Sequence, residues 1–81
     1  MKSLPDDLAL LQRCGEALWG DDWRPALRRQ FNINPTTTRR WMTGDAMIPR
    51  TFWVDLAAYM CKRAMLIRET AIEIDKSLHG G

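Results

Sequence analysis

The amino-acid sequence predicts an all-α fold of four to five helices, and three observations carry this prediction. Apolar residues recur at intervals of three and four along most of the 81 residues, which is the spacing of one helix face. Asn34-Pro35 and Gly44 stand where a short helix would begin and end. Neither Pro nor Gly occurs from Arg50 to Leu78, so this stretch predicts one long C-terminal helix.

The first predicted helix carries its apolar residues on one face. Ser3 is a candidate cap ahead of this helix, and Gly20 marks its end. Gly15 stands in mid-helix, where Gly costs stability relative to Ala, so we expect another backbone to pack closely against it. Asp21 and Asp22 are candidates to cap the next helix. The apolar face consists of Leu8, Leu11, Gly15 and Leu18.

Two short helices joined by a tight turn are predicted at the centre of the chain. The first spans residues 24–31, and Asn32 can adopt the left-handed conformation that ends a helix. Asn34 is a favourable N-cap, and the proline after it suits the first helical position, where a backbone N–H is not needed. The second helix therefore spans residues 35–43, and Gly44 ends it.

The second helix of this pair is predicted to have one inward and one outward face. Helical spacing turns Thr38, Trp41 and Met42 toward the protein. The outward face carries short hydroxyls followed by two guanidinium groups, and we expect the N-terminus of this helix to be free. The outward residues are Thr36, Thr37, Arg39 and Arg40.

Positive charge is concentrated in this central region. Residues 1–23 have a net charge of −3, residues 24–50 have +5, and residues 51–81 are balanced, although the whole chain is only +2. All of the basic residues in the central region are arginines, whose guanidinium groups bind phosphate and the edge of guanine bidentately. A solvated charged surface is the alternative interpretation of the same pattern.

A recognisable residue pattern runs through the central pair and into the helix that follows. It comprises an opening Trp23, Ala26 and Leu27, a turn with Ile33-Asn34, a close with Arg39-Arg40-Trp41 and Gly44, and a link at Ile48-Pro49. At these residues, roughly from Trp23 to Leu56, the chain resembles the helix-turn-helix of the phage-repressor and Cro-like transcription factors. Two positions depart from the family pattern: Arg28 replaces a small residue that faces the second helix, and Thr38 replaces Val or Ile.

The resemblance implies a helix-turn-helix DNA-binding core in residues 1–56. It further implies a dimeric regulator of transcription that binds double-stranded DNA and represses from a palindromic operator. The second helix of the pair would lie in the major groove and read base edges through Thr36, Thr37, Arg39 and Arg40. Phosphates would be contacted by Arg24, Asn34, Arg50 and Thr51.

The long C-terminal helix carries an apolar heptad pattern typical of a coiled coil. Its members, at alternating intervals of four and three, are Trp53, Ala57 and Met60, followed by Ala64, Ile67, Ala71, Ile74 and Leu78. The last five extend beyond what three short helices could cover, so we expect residues 57–81 to be an extension that forms a homodimer. The alternative is a helix that breaks near Cys61 and folds back on its own chain.

The remaining composition favours no enzyme. No carboxylate pair, Ser/His/Asp group or glycine-rich loop is convincing, and we expect no metal, cofactor or small-molecule ligand. Cys14 and Cys61 lack metal-ligand spacing and are expected to be reduced thiols in a cytoplasmic protein. No apolar run is long enough to cross a membrane, and the N-terminus does not resemble a signal peptide.

A second function class remains open. The chain could be a protein-binding module, such as an antitoxin or a phage-type inhibitor, that keeps the helix-turn-helix scaffold and acts through its C-terminal helix. We also expect Trp41 and Trp53 to be buried, and Trp19 and Trp23, which flank a turn, to be half exposed. The predicted core of the DNA-binding region consists of Leu27, Phe31, Ile33, Trp41, Phe52 and Leu56.

Overall fold

The computed structural model describes residues 4–80, with side chains from residue 7, and every regular element among them is helical. The predicted all-α class is therefore confirmed, whereas the proposed Ser3 cap lies outside the described residues. The elements are α1 (Leu4–Trp19), a short 3-10 helix (Gly20–Asp22), α2 (Trp23–Phe31), α3 (Pro35–Thr43) and α4 (Arg50–His79).

The chain divides into two compact units, with the boundary between Pro49 and Arg50. The first unit contains α1, α2 and α3, and the second consists of α4 and the residues after it. The predicted partition into residues 1–56 and 57–81 concerns function, and it stays a prediction. The helix itself runs without interruption through this predicted boundary.

The core of the first unit lies between α1 and α2 and extends to α3. Its most deeply buried side chains are Leu11 and Leu27, at 0 and 1% exposed. Phe31 and Ile33, which the sequence placed in this core, are only half-buried because they flank the turn at the end of α2. The apolar residues that are buried in this unit are Leu11, Trp23, Leu27, Trp41 and Ile48.

Gly15 of α1 lies directly against the indole of Trp23. A Cβ built on Gly15 would fall 2.7 Å from Cγ of Trp23 and still closer to other ring atoms, so no larger residue fits without a shift. The expectation that a backbone packs here was wrong, because an aromatic ring occupies the space. Trp23 is consequently only 4% exposed rather than half exposed, whereas Trp19 is half-buried as expected.

Local hydrogen bonds explain where α2 ends and α3 begins. Asn32 is left-handed, with φ of 54°, and the N–H of Ile33 donates to the carbonyl of Arg28 over 2.9 Å, the six-to-one bond of a Schellman motif. Oδ1 of Asn34 accepts the N–H of Thr36 over 2.8 Å, so the predicted N-cap is confirmed. Asp22 occupies the N-cap position of α2, but its side chain makes no capping bond, and that expectation was wrong.

The second unit is a single uninterrupted helix. α4 has 30 residues and is about 45 Å long at the usual rise. The alternative of a break near Cys61 is therefore contradicted. Phe52 and Leu56 are buried, and Trp53, expected to be buried, is half-buried with its ring edge-on to that of Phe52 at 6.0 Å. Among the described residues, no helix is both long and apolar enough to span a bilayer.

Candidate nucleic-acid interface

The nine-residue helix α3 separates its buried and exposed side chains cleanly. Thr38 and Trp41 are buried, at 6 and 4% exposed. The side chains at the other positions of interest are all exposed, and because they fall within two turns of one helix they form a single surface. These exposed residues are Thr36, Thr37, Arg39 and Arg40.

Thr38 shows how a hydroxyl is tolerated on the buried face. Its Oγ1 donates to the carbonyl of Pro35 over 2.9 Å, so the polar atom is satisfied within α3 itself. The methyl group remains available for apolar packing, as in the Val or Ile that the resembled family has at this position. A buried hydroxyl without a partner would cost roughly 1–3 kcal/mol. The departure at Thr38 is therefore compatible with the fold.

The first turn of α3 has its N–H groups already bonded. Thr36 donates to the side chain of Asn34, while Thr37 and Thr38 donate to the carbonyl of Asn34 over 3.0 and 3.2 Å. Pro35 has no N–H to offer. The N-terminus of α3 is exposed, as expected, but its cap already occupies these N–H groups. The Oδ1 atom of Asn34 is also committed, which leaves its amide NH₂ as the group that can donate to an outside acceptor.

Most arginines of this region lie at the surface. Arg24, Arg29, Arg39, Arg40 and Arg50 are exposed. Among the described side chains, the recorded ion pair joins His79 to Asp75 at 3.4 Å in α4, and it involves none of the arginines. Among the described side chains no carboxylate forms an ion pair with these arginines, so their positive potential can attract an anion.

Arg24 is held in place by an aromatic contact. Its guanidinium carbon lies 5.5 Å from the ring centroid of Trp23, within the range of a cation–π interaction. Trp23 is in turn held by its packing on Gly15. The guanidinium of Arg24 therefore lies beside an indole that is itself packed against α1.

A groove of about 360 Å³ runs between α2 and α3. The sequence interpretation missed this groove, although Arg28, which replaces a small residue of the resembled pattern, is one of its lining residues. Three guanidinium groups border the groove, from Arg24, Arg28 and Arg39. Its complete lining is Trp23, Arg24, Leu27, Arg28, Pro35, Thr38, Arg39 and Met42.

The other predicted contact residues are also at the surface. Arg50 and Thr51, at the start of α4, are both exposed. All residues from Cys61 to Gly80 are exposed, including large apolar side chains such as Ile67 at 64% and Leu78 at 75%. The five predicted dimer residues are therefore accessible: Ala64, Ile67, Ala71, Ile74 and Leu78.

The reactive side chains do not assemble into a second kind of site within the described residues. No group of three or more His, Cys, Asp or Glu residues there could hold a metal ion. Burial raises the pKa of the half-buried Cys14 thiol above its usual value, and the neighbouring Arg13 opposes this only in part. A raised thiol pKa lowers the thiolate fraction and with it the reactivity of Cys14.

The local geometry of α2 and α3 agrees with the helix and cap positions that the sequence indicates. Comparison of the chain with protein-family models, with curated proteins and with solved structures finds no match.

Proposed function

We propose that this protein is a sequence-specific DNA-binding regulator of transcription, which acts in the cytoplasm as a homodimer and represses by occupying a palindromic operator. The observation that carries the proposal is the exposed face of α3. It combines hydroxyls and guanidiniums on a helix whose opposite face is anchored by Thr38 and Trp41. In the resembled helix-turn-helix proteins this helix lies in the major groove.

Base reading is assigned to the exposed face of α3. Thr36 and Arg40 are one helical turn apart, so they face neighbouring base pairs along the groove. Arg40 suits the O6 and N7 acceptors of guanine, and Thr36 can contact the methyl group of a thymine. Thr37 and Arg39 flank this pair and reach either base edges or phosphates.

Phosphate contacts fix the position of the helix without carrying sequence information. Arg24 is the strongest candidate because its stacking on Trp23 limits the side-chain freedom that binding would otherwise remove. Asn34 contributes through its free amide NH₂, since its Oδ1 caps α3. Arg50 and Thr51 are further candidates, exposed at the start of α4.

The dimer is assigned to the exposed apolar residues of the heptad pattern, here called the first seam: Ala64, Ile67, Ala71, Ile74 and Leu78. Contiguous exposed apolar surface of this kind typically marks a protein interaction site. A dimer doubles the number of base pairs contacted, and its two-fold symmetry matches that of a palindrome.

Selection of bound fragments from random duplexes, followed by binding to single-base variants of the selected site, tests the proposal. Arg40→Ala is expected to lose about 1–3 kcal/mol of binding free energy on the selected site and to relax preference at one base pair. Arg24→Ala is the matched control, because it should weaken all sequences about equally and lower the salt slope by about one contact. Failure to select any sequence would contradict the proposal, and an equal loss on every duplex would reassign Arg40 to phosphate.

A protein-binding module is the second candidate function, and one observation favours it. The apolar residues of α4 from Met65 onward are exposed and could receive a helix of another protein. Salt separates the two functions. DNA binding weakens steeply as salt rises because phosphate contacts release counterions, whereas an apolar helix interface is nearly insensitive to it.

A further inference from the structure

α4 carries a second exposed apolar stripe beside the first seam. Val54, Met65 and Ile72 are 58, 63 and 43% exposed, and none of them belongs to the first seam. With the exposed Ala58 and Cys61 they recur at intervals of four, three, four and seven. We call this set the second seam: Val54, Ala58, Cys61, Met65 and Ile72.

The second seam repeats the heptad register of the first, displaced by one residue. Met65 and Ile72 directly follow Ala64 and Ala71 of the first seam, and the remaining second-seam residues directly follow Trp53, Ala57 and Met60 of the same heptad pattern. One residue corresponds to a rotation of about 100° around a helix axis. The two seams therefore face directions about 100° apart. In a square four-helix bundle, the directions from one helix to its two adjacent helices are separated by nearly the same angle.

A simple two-stranded coiled coil leaves the second seam in water. Such a dimer covers only the narrow stripe formed by the two apolar heptad positions. A helix with two apolar stripes in heptad register instead fits between two neighbours, each packed on one stripe. The regular register also indicates that the occupant of the second seam is itself a helix, because knobs-into-holes packing requires a matching repeat.

We infer that four copies of this chain form a tetramer, in which each α4 packs on one neighbour through the first seam and on another through the second. The inference rests on the proposed first-seam dimer and extends it to a pair of dimers. Closed assemblies with two different two-fold interfaces per chain are the commonest tetramers. A bundle of four α4 helices would bury both stripes in one core.

Charge favours a second copy of this chain as the occupant. Residues 61–79 hold four basic and three acidic side chains, so copies of this segment carry little mutual repulsion. Arg68 and Asp75 complete the register of the second seam and have opposite signs. A parallel neighbour in register would place each of them against its own like charge. Neighbours in a bundle with perpendicular two-fold axes are antiparallel, which removes these like-charge pairs.

Light scattering on the full chain tests the inference. The wild type is expected to have a mass four times the 9.4 kDa of one chain. Met65→Glu/Ile72→Glu should leave a dimer, since charge cannot be buried unpaired in the second seam. Met65→Gln/Ile72→Gln, which introduces no charge, should shift the tetramer–dimer midpoint at least tenfold in concentration. Both residues are exposed in the chain by itself, so circular dichroism should remain that of the wild type.

A matched control and the distribution of masses identify which assignment fails. Met47→Glu makes the same apolar-to-acid change at an exposed position outside α4, and it should leave the tetramer intact. A wild-type dimer that the second-seam variants do not alter would overturn the tetramer and keep the proposed dimer. A wild-type monomer would overturn both. A second-seam variant that becomes monomeric, or a Met47→Glu variant that dissociates equally, would overturn the assignment of two separate seams.

Discussion

Leu27 in α2 and Ile67 in α4 are large apolar residues that both lie at helical spacing from apolar neighbours, yet Leu27 is 1% and Ile67 64% exposed. Around Leu27, α1 and α2 pack together, and a ring fits against a glycine at Gly15. Around Ile67, every residue from 61 to 80 is exposed. Burial of an apolar stripe is favourable in free energy. Whether the stripe is buried within its own chain depends on the elements that lie next to it.

The two regions also differ in what their polar groups do. In α3 the hydroxyl of Thr38 is turned inward and bonded to the carbonyl of Pro35, and the charged groups are turned outward with no carboxylate partner among the described side chains. In the second half of α4, charges of both signs alternate with apolar residues on the surface. A surface with positive potential attracts a polyanion, whereas a surface with charges of both signs and apolar stripes favours packing against another copy of the same chain.

The largest effect is expected from placing charge among the exposed apolar residues of α4. Ile67→Asp/Ile74→Asp would place unpaired charge in the first seam, so the mass of the assembly should fall to half or less. Light scattering gives the mass, and circular dichroism should show that the chain stays helical, because both residues are exposed. A double mutant that keeps the wild-type mass would contradict the first seam. One that unfolds would show that these residues belong to the chain's own core.

The next largest effect is expected from truncating a buried side chain in the core of the first unit. Leu27→Ala removes a fully buried side chain and should lower the free energy of unfolding by about 2–5 kcal/mol. Met47→Ala is the matched control in the same unit, because Met47 is 67% exposed, and it should change stability by less than about 0.5 kcal/mol. Urea unfolding at one fixed protein concentration measures both. Equal losses from the two variants would mean that burial does not distinguish these positions.

The smallest effect concerns the contact between Gly15 and Trp23. Ala favours a helix over Gly by about 1 kcal/mol, but its methyl would overlap the indole, and overpacking costs about 1–3 kcal/mol. We therefore expect Gly15→Ala to be neutral or destabilising by up to about 2 kcal/mol. Gly20→Asn provides a control at an open left-handed position, where Asn is tolerated. A Gly15→Ala variant more stable than the wild type would contradict the close contact.

The sequence alone determined the elements of this protein. Asn32 ends α2, Asn34 with the following proline begins α3, and Gly44 ends it, as the local chemistry of these residues predicts. The uninterrupted run from residue 50 is one helix for the same reason, since it contains no residue that would end it before Gly80. These helix ends and the continuity of α4 depend on interactions within a few residues, so a local pattern predicts them, although the expected side-chain cap at Asp22 does not form.

Which side chains are buried became evident only from the tertiary structure. Trp23 was expected to be half exposed because it flanks a turn, but the space left by Gly15, eight residues earlier, receives its ring. The groove between α2 and α3 and the exposure of both stripes on α4 are likewise properties of the folded structure that the sequence pattern does not show. Burial depends on contacts between residues distant in sequence, and the periodicity of a single helix contains no information about the surface that will meet it.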